Sequence, residues 1–321
     1  MSRYQRQVIL PEVGAAGQAR LAAARVLIVG AGGLGVPVVQ YLAGAGVGRL
    51  VIVDRDVAEA SNLHRQPIYG PHLGQPKAAA AAQVAQALNP EVTAEPRAIR
   101  LDPGNVPDLL AGCALALDCA DSFAASYTLS DACLAMGVPL ISGSALGLAG
   151  YAGGFCGPAP SLRAVFPDLP ERAATCATAG VLGPVVGTIG TIMAQMALST
   201  ILGLAPSPLG QLVSWDAGAL RFGGFRFDGA PEPESGHRFI AAGALRPDDF
   251  LVELRGAEEA PAPFAPGARR LGVESLGPGG PTPPPGCRAV FACRSGLRAW
   301  RAADRLAARW DGEIALIATG D

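Results

Sequence analysis

The chain has 321 residues, and only 16% of them are charged, against roughly 25% in typical globular proteins. Its 25 basic and 27 acidic residues give a net charge of -2, which excludes binding of nucleic acid or anionic membranes through a basic field. With 50% hydrophobic residues, the length suffices for two globular domains.

The cysteine content and the start of the chain indicate the cell compartment. The seven cysteines are an odd number spread over a long chain, and no apolar signal segment follows Met1. We therefore expect a reducing, cytoplasmic setting.

The first elements predict a parallel sheet with crossover helices. Arg25–Val29 is a short apolar run ending before Gly30, and Leu50–Val53 is another ending before Asp54, with helix-length sequence between them. This is the pattern of a βαβ unit. The alternation continues with two strand-like runs and an alanine-rich helical stretch, at 114–117, 139–142 and 77–88.

The pattern divides the chain into a large unit, a linker and a small unit. Residues 1–227 are predicted to form one doubly wound, mostly parallel, Rossmann-like α/β domain. Residues 228–237 mix Pro, Gly and Glu without apolar periodicity, as linkers do. Residues 238–321 are predicted to form a second, smaller α/β domain with a middle part rich in Pro and Gly.

One uncharged segment, 173–215, could be mistaken for a membrane span. Its centre, 180–204, exceeds the roughly 20 residues that cross a bilayer. However, it contains Pro184, Thr188 and Gln195, and no cluster of basic residues flanks it. We therefore predict a buried helix and no membrane association.

A glycine-rich loop marks a nucleotide site. The segment 30–35 reads GAGGLG, follows a predicted strand, opens a predicted helix, and is followed by an acidic residue, Asp54. Such glycines let backbone N–H groups approach phosphate at a helix N-terminus. The binding residues it predicts are Gly30, Gly32, Gly33 and Gly35. Alone, the loop leaves NAD, FAD and ATP open.

Polar and cationic residues after the second strand favour a triphosphate over a dinucleotide. Asn62 and Arg65 lie in SNLHRQ, and Lys77 ends GQPK. Nucleotidyl transfer needs fixed cations because negative charge builds up as pyrophosphate leaves, whereas a dehydrogenase does not need them. Lys77 is the chain's only lysine, and a compact ammonium suits a phosphate contact.

Together these motifs resemble the ThiF/MoeB/HesA family, the adenylyltransferases similar to ubiquitin-activating enzymes. The resemblance covers about residues 1–227. It rests on RYQRQ, GAGGLG, the DRD/SNLHRQ/GQPK series, LDCAD and TCATAGVLGPVVGTIG, at 3–7, 30–35, 54–77, 117–121 and 175–190. It implies a homodimer that uses ATP and Mg²⁺ to adenylylate the C-terminal glycine carboxylate of a small β-grasp sulfur-carrier protein ending in Gly-Gly.

The resemblance also implies roles for individual residues. Asp54 would hold the ribose, and Asn62, Arg65 and Lys77 would face the phosphates. Asp121 would serve the Mg²⁺ ion, and Arg6 would reach the ATP of the other subunit. The carrier's carboxylate would then attack the α-phosphorus without a general base, because it is already ionised at pH 7.

The sequence departs from the family pattern in two respects. Ser122, Ser126 and Ser130 stand where the family has an asparagine, an arginine and another asparagine. The places that match two zinc-binding C-x-x-C pairs read SLRA and ESGH, at 161–164 and 234–237. We therefore predict no zinc site.

Cys176 matches a thiol that links covalently to the carrier in some members, although a buried structural cysteine is an equal alternative.

The small domain resembles a rhodanese sulfurtransferase. A predicted strand, 290–292, leads into CRSGLR, in which Cys293 lies before a helix predicted at 299–310. Backbone N–H dipoles and flanking arginines favour a nucleophilic thiolate there. FLVELR and PGA, at 250–255 and 266–268, resemble the opening strand and following loop of that domain. The resemblance implies a persulfide on Cys293, supplied by a cysteine desulfurase or by thiosulfate.

The predicted function joins the two halves of the chain. The first adenylylates the carrier, and the second brings sulfur to give a thiocarboxylate. Two alternatives stay open: a non-catalytic nucleotide-binding regulator or scaffold, suggested by the serine replacements, and an NAD-dependent oxidoreductase. The pathway and the carrier are not specified by the sequence.

Overall fold

The computed structural model describes residues 3–169 and 180–320. The strands of its first sheet are β1 Arg25–Val29, β2 Arg49–Val53, β3 Thr93–Arg97, β4 Leu115–Asp118, β5 Leu140–Leu146, β6 Ala149–Phe155, β7 Gln211–Asp216 and β8 Arg221–Arg226. Within the described residues they pair in the order β3-β2-β1-β4-β5-β6-β7-β8. The strands from β3 to β5 run parallel, and β6, β7 and β8 extend the sheet antiparallel. The predicted mostly parallel α/β architecture is confirmed.

Helices cover both faces of this sheet. Their bounds are α1 Gln5–Val8, α2 Gly14–Ala23, α3 Gly35–Ala45, α4 Lys77–Leu88, α5 Val106–Leu110, α6 Phe123–Met136, α7 Leu162–Val165 and α8 Gly183–Leu202. Alternate residues of β1 enter two cores, because successive side chains of a strand point to opposite faces. Val26 and Ile28 join the core that includes residues of α3, α4 and α8, and Leu27 and Val29 join the one that includes residues of α5 and α6. The fold is therefore doubly wound.

Helix α8 is the predicted apolar helix, and it packs against the end of the glycine loop. Its most apolar 18-residue window is long and hydrophobic enough to cross a membrane, yet half of that window is buried inside the fold. It lies on α3, β5 and β6. A Cβ added to Gly190 would lie 2.5 Å from the carbonyl oxygen of Leu34, so this glycine permits the close crossing of α8 and α3.

A second sheet follows after residue 237. Its strands are β9 Arg238–Phe239, β10 Phe250–Glu253, β11 Arg269–Arg270, β12 Ala289–Cys293 and β13 Ile314–Ala318, and helix α9 spans Leu297–Ala307. All pairs are parallel, in the order β11-β10-β12-β13-β9. The core of this second unit includes Ala124 and Tyr127 of α6, so the two units share packed surface.

A cluster of side chains around Arg163 joins the two units. Arg163 is 8% exposed, and its guanidinium donates to both carboxylate oxygens of Asp131, at 2.6 and 2.9 Å. It also donates to the carbonyl oxygen of His237 at 3.0 Å. It lies over the rings of Tyr127 and Trp300, 4.7 and 5.4 Å from their centroids. Arg163 therefore contacts residues of both units at once.

This cluster occupies the two segments that match the zinc-binding pairs. Besides the Arg163 contact to His237, the N–H and hydroxyl of Ser161 donate to Glu232 at 2.6 and 2.5 Å. Among the described residues, no group of three or more His, Cys, Asp or Glu side chains is arranged to hold a metal. The absence of zinc stays a prediction, but hydrogen bonds and an ion pair now account for how these segments are held together.

Candidate nucleotide site

The candidate site lies where the strand order of the first sheet reverses. Strands β2 and β3 lie on one side of β1, and β4 and β5 lie on the other. Gly30 follows β1, Asp54 follows β2, and Asp118 ends β4, so all three lie at the carboxyl edge of the sheet. Open α/β sheets bind ligands in the crevice at this point.

The four predicted glycines of the loop have two different structural roles. Gly30 has φ +94°, and a Cβ on it would lie 2.5 Å from the carbonyl oxygen of Cys119. A Cβ on Gly35 would collide with the carbonyl oxygen of Gly30, and one on Gly33 would lie 2.6 Å from Val186 of α8. Gly32 differs, because a Cβ there would meet only the Gln66 side chain, at 3.6 Å. Three glycines thus allow packing, and Gly32 leaves backbone open to a phosphate.

Asp54 fixes the glycine loop to the end of β2. Its carboxylate accepts the Ala31 N–H at 2.7 Å and the Asp56 N–H at 2.8 Å. Burial raises the pKa of Asp54, and these two N–H groups and the charge of Lys77 oppose that rise. Each carboxylate oxygen keeps a further lone pair, so Asp54 can also accept the hydroxyls of a ribose.

Tyr69 and Gln66, which were not predicted from the sequence, lie against the same loop. Tyr69 is fully buried, and its hydroxyl donates to the carbonyl oxygen of Ala31 at 2.5 Å. Burial raises the pKa of Tyr69 well above its ordinary value, so it remains a donor. Gln66 is 3% exposed, and its buried side-chain oxygen has no hydrogen-bond partner among the described residues. Because unpaired buried oxygens are rare, Gln66 is a candidate acceptor for a ligand donor beside Gly32.

Lys77 lies at the same edge as Asp54. It is the first residue of α4 and is 6% exposed. Its backbone N–H donates to the carbonyl oxygen of Asp56 at 2.8 Å, and its Nζ lies 3.1 Å from an Asp56 carboxylate oxygen. The structure therefore brings the predicted ribose acid and the predicted phosphate cation together.

Asn62 and Arg65 lie on the turn that leads to α4. The Asn62 side-chain oxygen accepts the Glu59 N–H at 3.4 Å, which closes a short helical turn. Arg65 lies 2.8 Å from the ring nitrogen Nε2 of His64, and Gly183 at the start of α8 packs against the backbone of both residues. Helix α8 therefore holds this turn in place.

One aspartate, Asp118, ends β4, and a second, Asp121, lies three residues later. Asp118 is 1% exposed, and it accepts hydrogen bonds from the Ser142 hydroxyl at 2.8 Å and the Ala120 N–H at 3.2 Å. Burial raises the pKa of Asp118 to about 6. Asp121 is exposed, so its carboxylate is free to meet a cation. Asp121 was predicted from the sequence and Asp118 was not, although an acid that ends an apolar strand was the available signal.

Arg6 is not brought to the site of its own chain. Tyr4, beside it, packs against Gly46 and accepts a hydrogen bond from Asn89, the residues that follow α3 and α4. The nucleotide site lies at the opposite ends of these helices, about 16 Å away for the 11 residues of α3. A role for Arg6 therefore requires a second chain. Cys176, also predicted as a catalytic residue of this unit, lies outside the described residues.

The chain matches the ThiF family over residues 4–235. It belongs to the ThiF family. It is 43% identical to the SAMP-activating enzyme E1 of Haloferax volcanii, over 69% of this chain and 83% of that protein. It is 42% identical to the sulfur carrier protein adenylyltransferase of Thermus thermophilus, over 68% and 83% of the two chains.

Other similarities of this ThiF-family chain cover a smaller share of the relative or show the fold alone. It is 48% identical to the adenylyltransferase and sulfurtransferase MOCS3 of Bos taurus over 67% of its length, and spans about half of that protein, 48%. The crystal structure of E. coli MccB with ATP has a TM-score of 0.62 at 20% identity, over 71% of this chain and 72% of MccB.

The family match ends at residue 235, before the second unit and its predicted nucleophile. Cys293 is the last residue of β12, not the first residue of a loop, and it is fully buried. The Ala299 N–H donates to its Sγ at 3.4 Å. Thr319 donates its N–H to the Cys293 carbonyl oxygen at 2.9 Å, so the neighbouring chain is also fixed. The thiol is thus at a helix N-terminus, as predicted, but is closed off from solvent.

A buried carboxylate at the end of β10 has a structural role. Glu253 is fully buried and accepts the N–H groups of Arg255 and Phe264 and the Arg255 guanidinium, at 2.9 to 3.0 Å. Burial alone would raise the pKa of Glu253, but these hydrogen bonds outweigh it and lower the pKa. Glu253 therefore orders the loop after β10.

Proposed function

We propose that this chain uses ATP to adenylylate the C-terminal glycine carboxylate of a small sulfur-carrier protein. One observation carries the proposal: the glycine loop, Asp54 and Lys77 converge on the switch point of the first sheet. The names of the two relatives that are matched over 83% of their length, a SAMP-activating enzyme and a sulfur carrier protein adenylyltransferase, support the same activity.

The residues present fit ATP and a magnesium ion. Gly32 leaves open backbone for phosphate, Asp54 retains lone pairs for the ribose, and Lys77 supplies positive charge. Mg²⁺ usually binds through one or two carboxylates plus substrate phosphates and water, which matches the exposed carboxylate of Asp121. When bound, the ion would neutralise phosphate charge and orient the departing pyrophosphate.

The chain's own residues then act by position and charge. Lys77 and Arg65 hold the β- and γ-phosphates, so the α-phosphorus faces the incoming carboxylate of the carrier. A carboxylate oxygen forms a bond to that phosphorus, the bond to the bridging oxygen breaks, and pyrophosphate leaves with the electron pair. Fixed cations stabilise the charge that develops on the bridging oxygen. No proton has to be moved.

The distant position of Arg6 supports a homodimer. It lies at the far ends of α3 and α4, so it can contribute only to the nucleotide site of a partner. A guanidinium supplied in this way would add a cation to the phosphates when two chains associate.

The second unit is proposed to deliver sulfur. A donor such as a cysteine desulfurase or thiosulfate would place a sulfane sulfur on Cys293. The terminal sulfur of this persulfide would attack the acyl carbon of the carrier adenylate and release AMP. A second thiol, for which Cys176 is the candidate, would then cleave the resulting S–S bond and release the thiocarboxylate. Because Cys293 is fully buried, these reaction steps require that the loop after β12 opens.

The adenylylation step is tested by ATP–pyrophosphate exchange in the presence of a carrier ending in Gly-Gly. We expect exchange that depends on the carrier and falls at least about 100-fold in Lys77→Ala and in Arg65→Ala, because each loses a charge at the developing anion. Arg49→Ala is the matched control, since Arg49 lies at the opposite end of β2 from Asp54. Unchanged exchange in both site variants would refute the assignment.

The sulfur step is tested with thiosulfate and cyanide. If Cys293 carries sulfane sulfur, thiosulfate and cyanide give sulfite and thiocyanate, and Cys293→Ser abolishes this. A wild-type protein that is inert in this assay would indicate that the second unit is a scaffold.

Failure of ATP–pyrophosphate exchange with every carrier offered would instead favour a nucleotide-binding regulator.

A further inference from the structure

The second unit packs on the edge of the first sheet that carries the nucleotide site. Gly296, in the loop after β12, is buried between Phe239 and Ala124, and a Cβ on it would lie 2.6 Å from the Phe239 ring and 3.3 Å from Ala124. Ala124 is in the first turn of α6, three residues after Asp121. The loop of Cys293 therefore touches the segment that is proposed to serve the metal ion.

The same loop is also anchored to the segments that follow β2 and β3, across the nucleotide site from α6. Gly320, after β13, donates its N–H to the Arg294 carbonyl oxygen at 2.8 Å. A Cβ on Gly320 would lie 2.9 Å from Nη1 of Arg55, the residue after Asp54, and 2.5 Å from Nη1 of Arg100, which follows β3. Arg100 also donates to the carbonyl oxygen of Ala318. The backbone of Arg294 is thus held between the segments that follow β2, β3 and β4.

The side chain of Arg294 is available for a ligand. It is exposed and has no hydrogen bond or ion pair within the described ranges, although its charge helps to lower the pKa of Glu259 in the loop after β10. It lies two residues from Gly296, so its Cα is within about 7 Å of the contact with Ala124. Its guanidinium can therefore extend over the first turn of α6, toward the phosphate side of the cleft.

The described residues around the start of α6 carry negative charge and no positive charge. Helix α6 contains no basic residue, and Asp118 and Asp121 place two carboxylates at its start. Phosphates bound beside these carboxylates need opposite charge nearby, and guanidinium groups match phosphate geometry. The Ser126 hydroxyl of α6 donates to the Ser122 carbonyl oxygen at 3.2 Å and Ser130 is fully buried, so neither serine supplies a positive charge there.

We propose that Arg294 of the second unit binds the phosphates of the nucleotide held by the first unit of the same chain. The inference rests on the proposed function, since it needs ATP in the cleft. It makes the second unit part of the nucleotide site, and it means that bound ATP attracts the loop that follows Cys293.

Isothermal titration of the full chain with ATP and with adenosine tests the proposal. Replacing the guanidinium in Arg294→Gln should raise the Kd for ATP about tenfold, which corresponds to about 1.4 kcal/mol. The Kd for adenosine should not change, because adenosine has no phosphate. Arg294→Lys should recover part of the affinity for ATP. Arg301→Gln, which removes a partly buried arginine of α9, is the matched control and should bind ATP like the wild type.

Lys77→Ala separates failure of this inference from failure of the proposed function. If the wild type does not bind ATP, or if Lys77→Ala binds it equally well, the nucleotide site itself is wrongly placed and the inference falls with it. If Lys77→Ala weakens ATP binding and Arg294→Gln does not, only the role of Arg294 is refuted. Equal loss of ATP and adenosine affinity in Arg294→Gln would also refute it, because that result indicates structural damage.

Discussion

Replacing Asp118 by Asn should change the pH dependence of stability in a direction fixed by burial. Asp118 ends β4, is 1% exposed, and accepts hydrogen bonds from Ser142 and the Ala120 N–H. Burial raises its pKa from 3.8 to about 6, against the opposing effect of hydrogen bonds from Ser126, Ser142 and Ala120. Asn has nearly the same shape and cannot ionise.

The magnitude follows from the two pKa values. Because the folded state binds the proton more tightly than the unfolded chain, the favourable contribution of protonated Asp118 is complete below pH 3.8 and is lost as the pH rises through about 6. The gap corresponds to about 3 kcal/mol at 1.36 kcal/mol per pH unit. Between pH 5 and pH 7.5 the remaining loss is about 1 kcal/mol.

Urea unfolding of both proteins at pH 5 and pH 7.5 measures this loss. The free energy of unfolding of Asp118→Asn, relative to the wild type, should be about 1 kcal/mol more favourable at pH 7.5 than at pH 5. Asp216→Asn is the control, since Asp216 also accepts a backbone N–H, at 3.0 Å, but is exposed at the end of β7. A difference between Asp118→Asn and the wild type that is the same at both pH values would refute the reasoning.

Two further predictions concern the loop and the junction between the units. Gly32→Ala should weaken ATP binding without changing the melting temperature, because its Cβ meets only Gln66. Gly35→Ala should lower both the melting temperature and the affinity for ATP, because its Cβ displaces the backbone of Gly30. Equal effects of the two variants on the melting temperature would contradict the two roles of these glycines. Arg163→Met should destabilise the chain by about 2 kcal/mol in thermal or urea unfolding, because it leaves the Asp131 carboxylate without its bidentate partner. Treatment of the wild type with EDTA should not lower its melting temperature, and an equimolar zinc content of the purified protein would show that a metal acts at this junction.

The parts of the site that follow one another in sequence could be predicted from the sequence. The apolar runs of β1 and β2, the glycines between them and Asp54 form one local βαβ pattern, so their meeting at one edge follows from the rules of parallel sheets. Helix α4 begins at Lys77 and ends at Leu88, as its alanine-rich stretch predicts. These elements carry their own signal because each depends on neighbouring residues.

The contacts between distant elements could not be predicted in this way. The alternation of apolar and polar residues that predicts a strand is weak in β6 and β8, because both contain glycines. These glycines let other backbone segments approach closely: a Cβ on Gly154 would collide with the carbonyl oxygen of Pro208. The burial of Cys293 depends on α9 folding back over β12, with the Ala299 N–H on the thiol. The pKa of Asp118 depends on Ser142, on the next strand. Sequence predicts which residues end a strand, but not what covers them.

The lone lysine is paired differently from the buried arginines, and this difference supports its assignment to phosphate. The carboxylate partners of Arg163, Arg255 and Arg288 each accept two or more hydrogen bonds from the guanidinium. Lys77 is buried as deeply, but within the described residues its ammonium has a single hydrogen bond, to Asp56, whose side chain is 56% exposed. An ammonium has three donors, so two remain for a ligand. An arginine at this position would bring a planar fork that Asp56 alone cannot satisfy, and the compact charge of lysine avoids that cost.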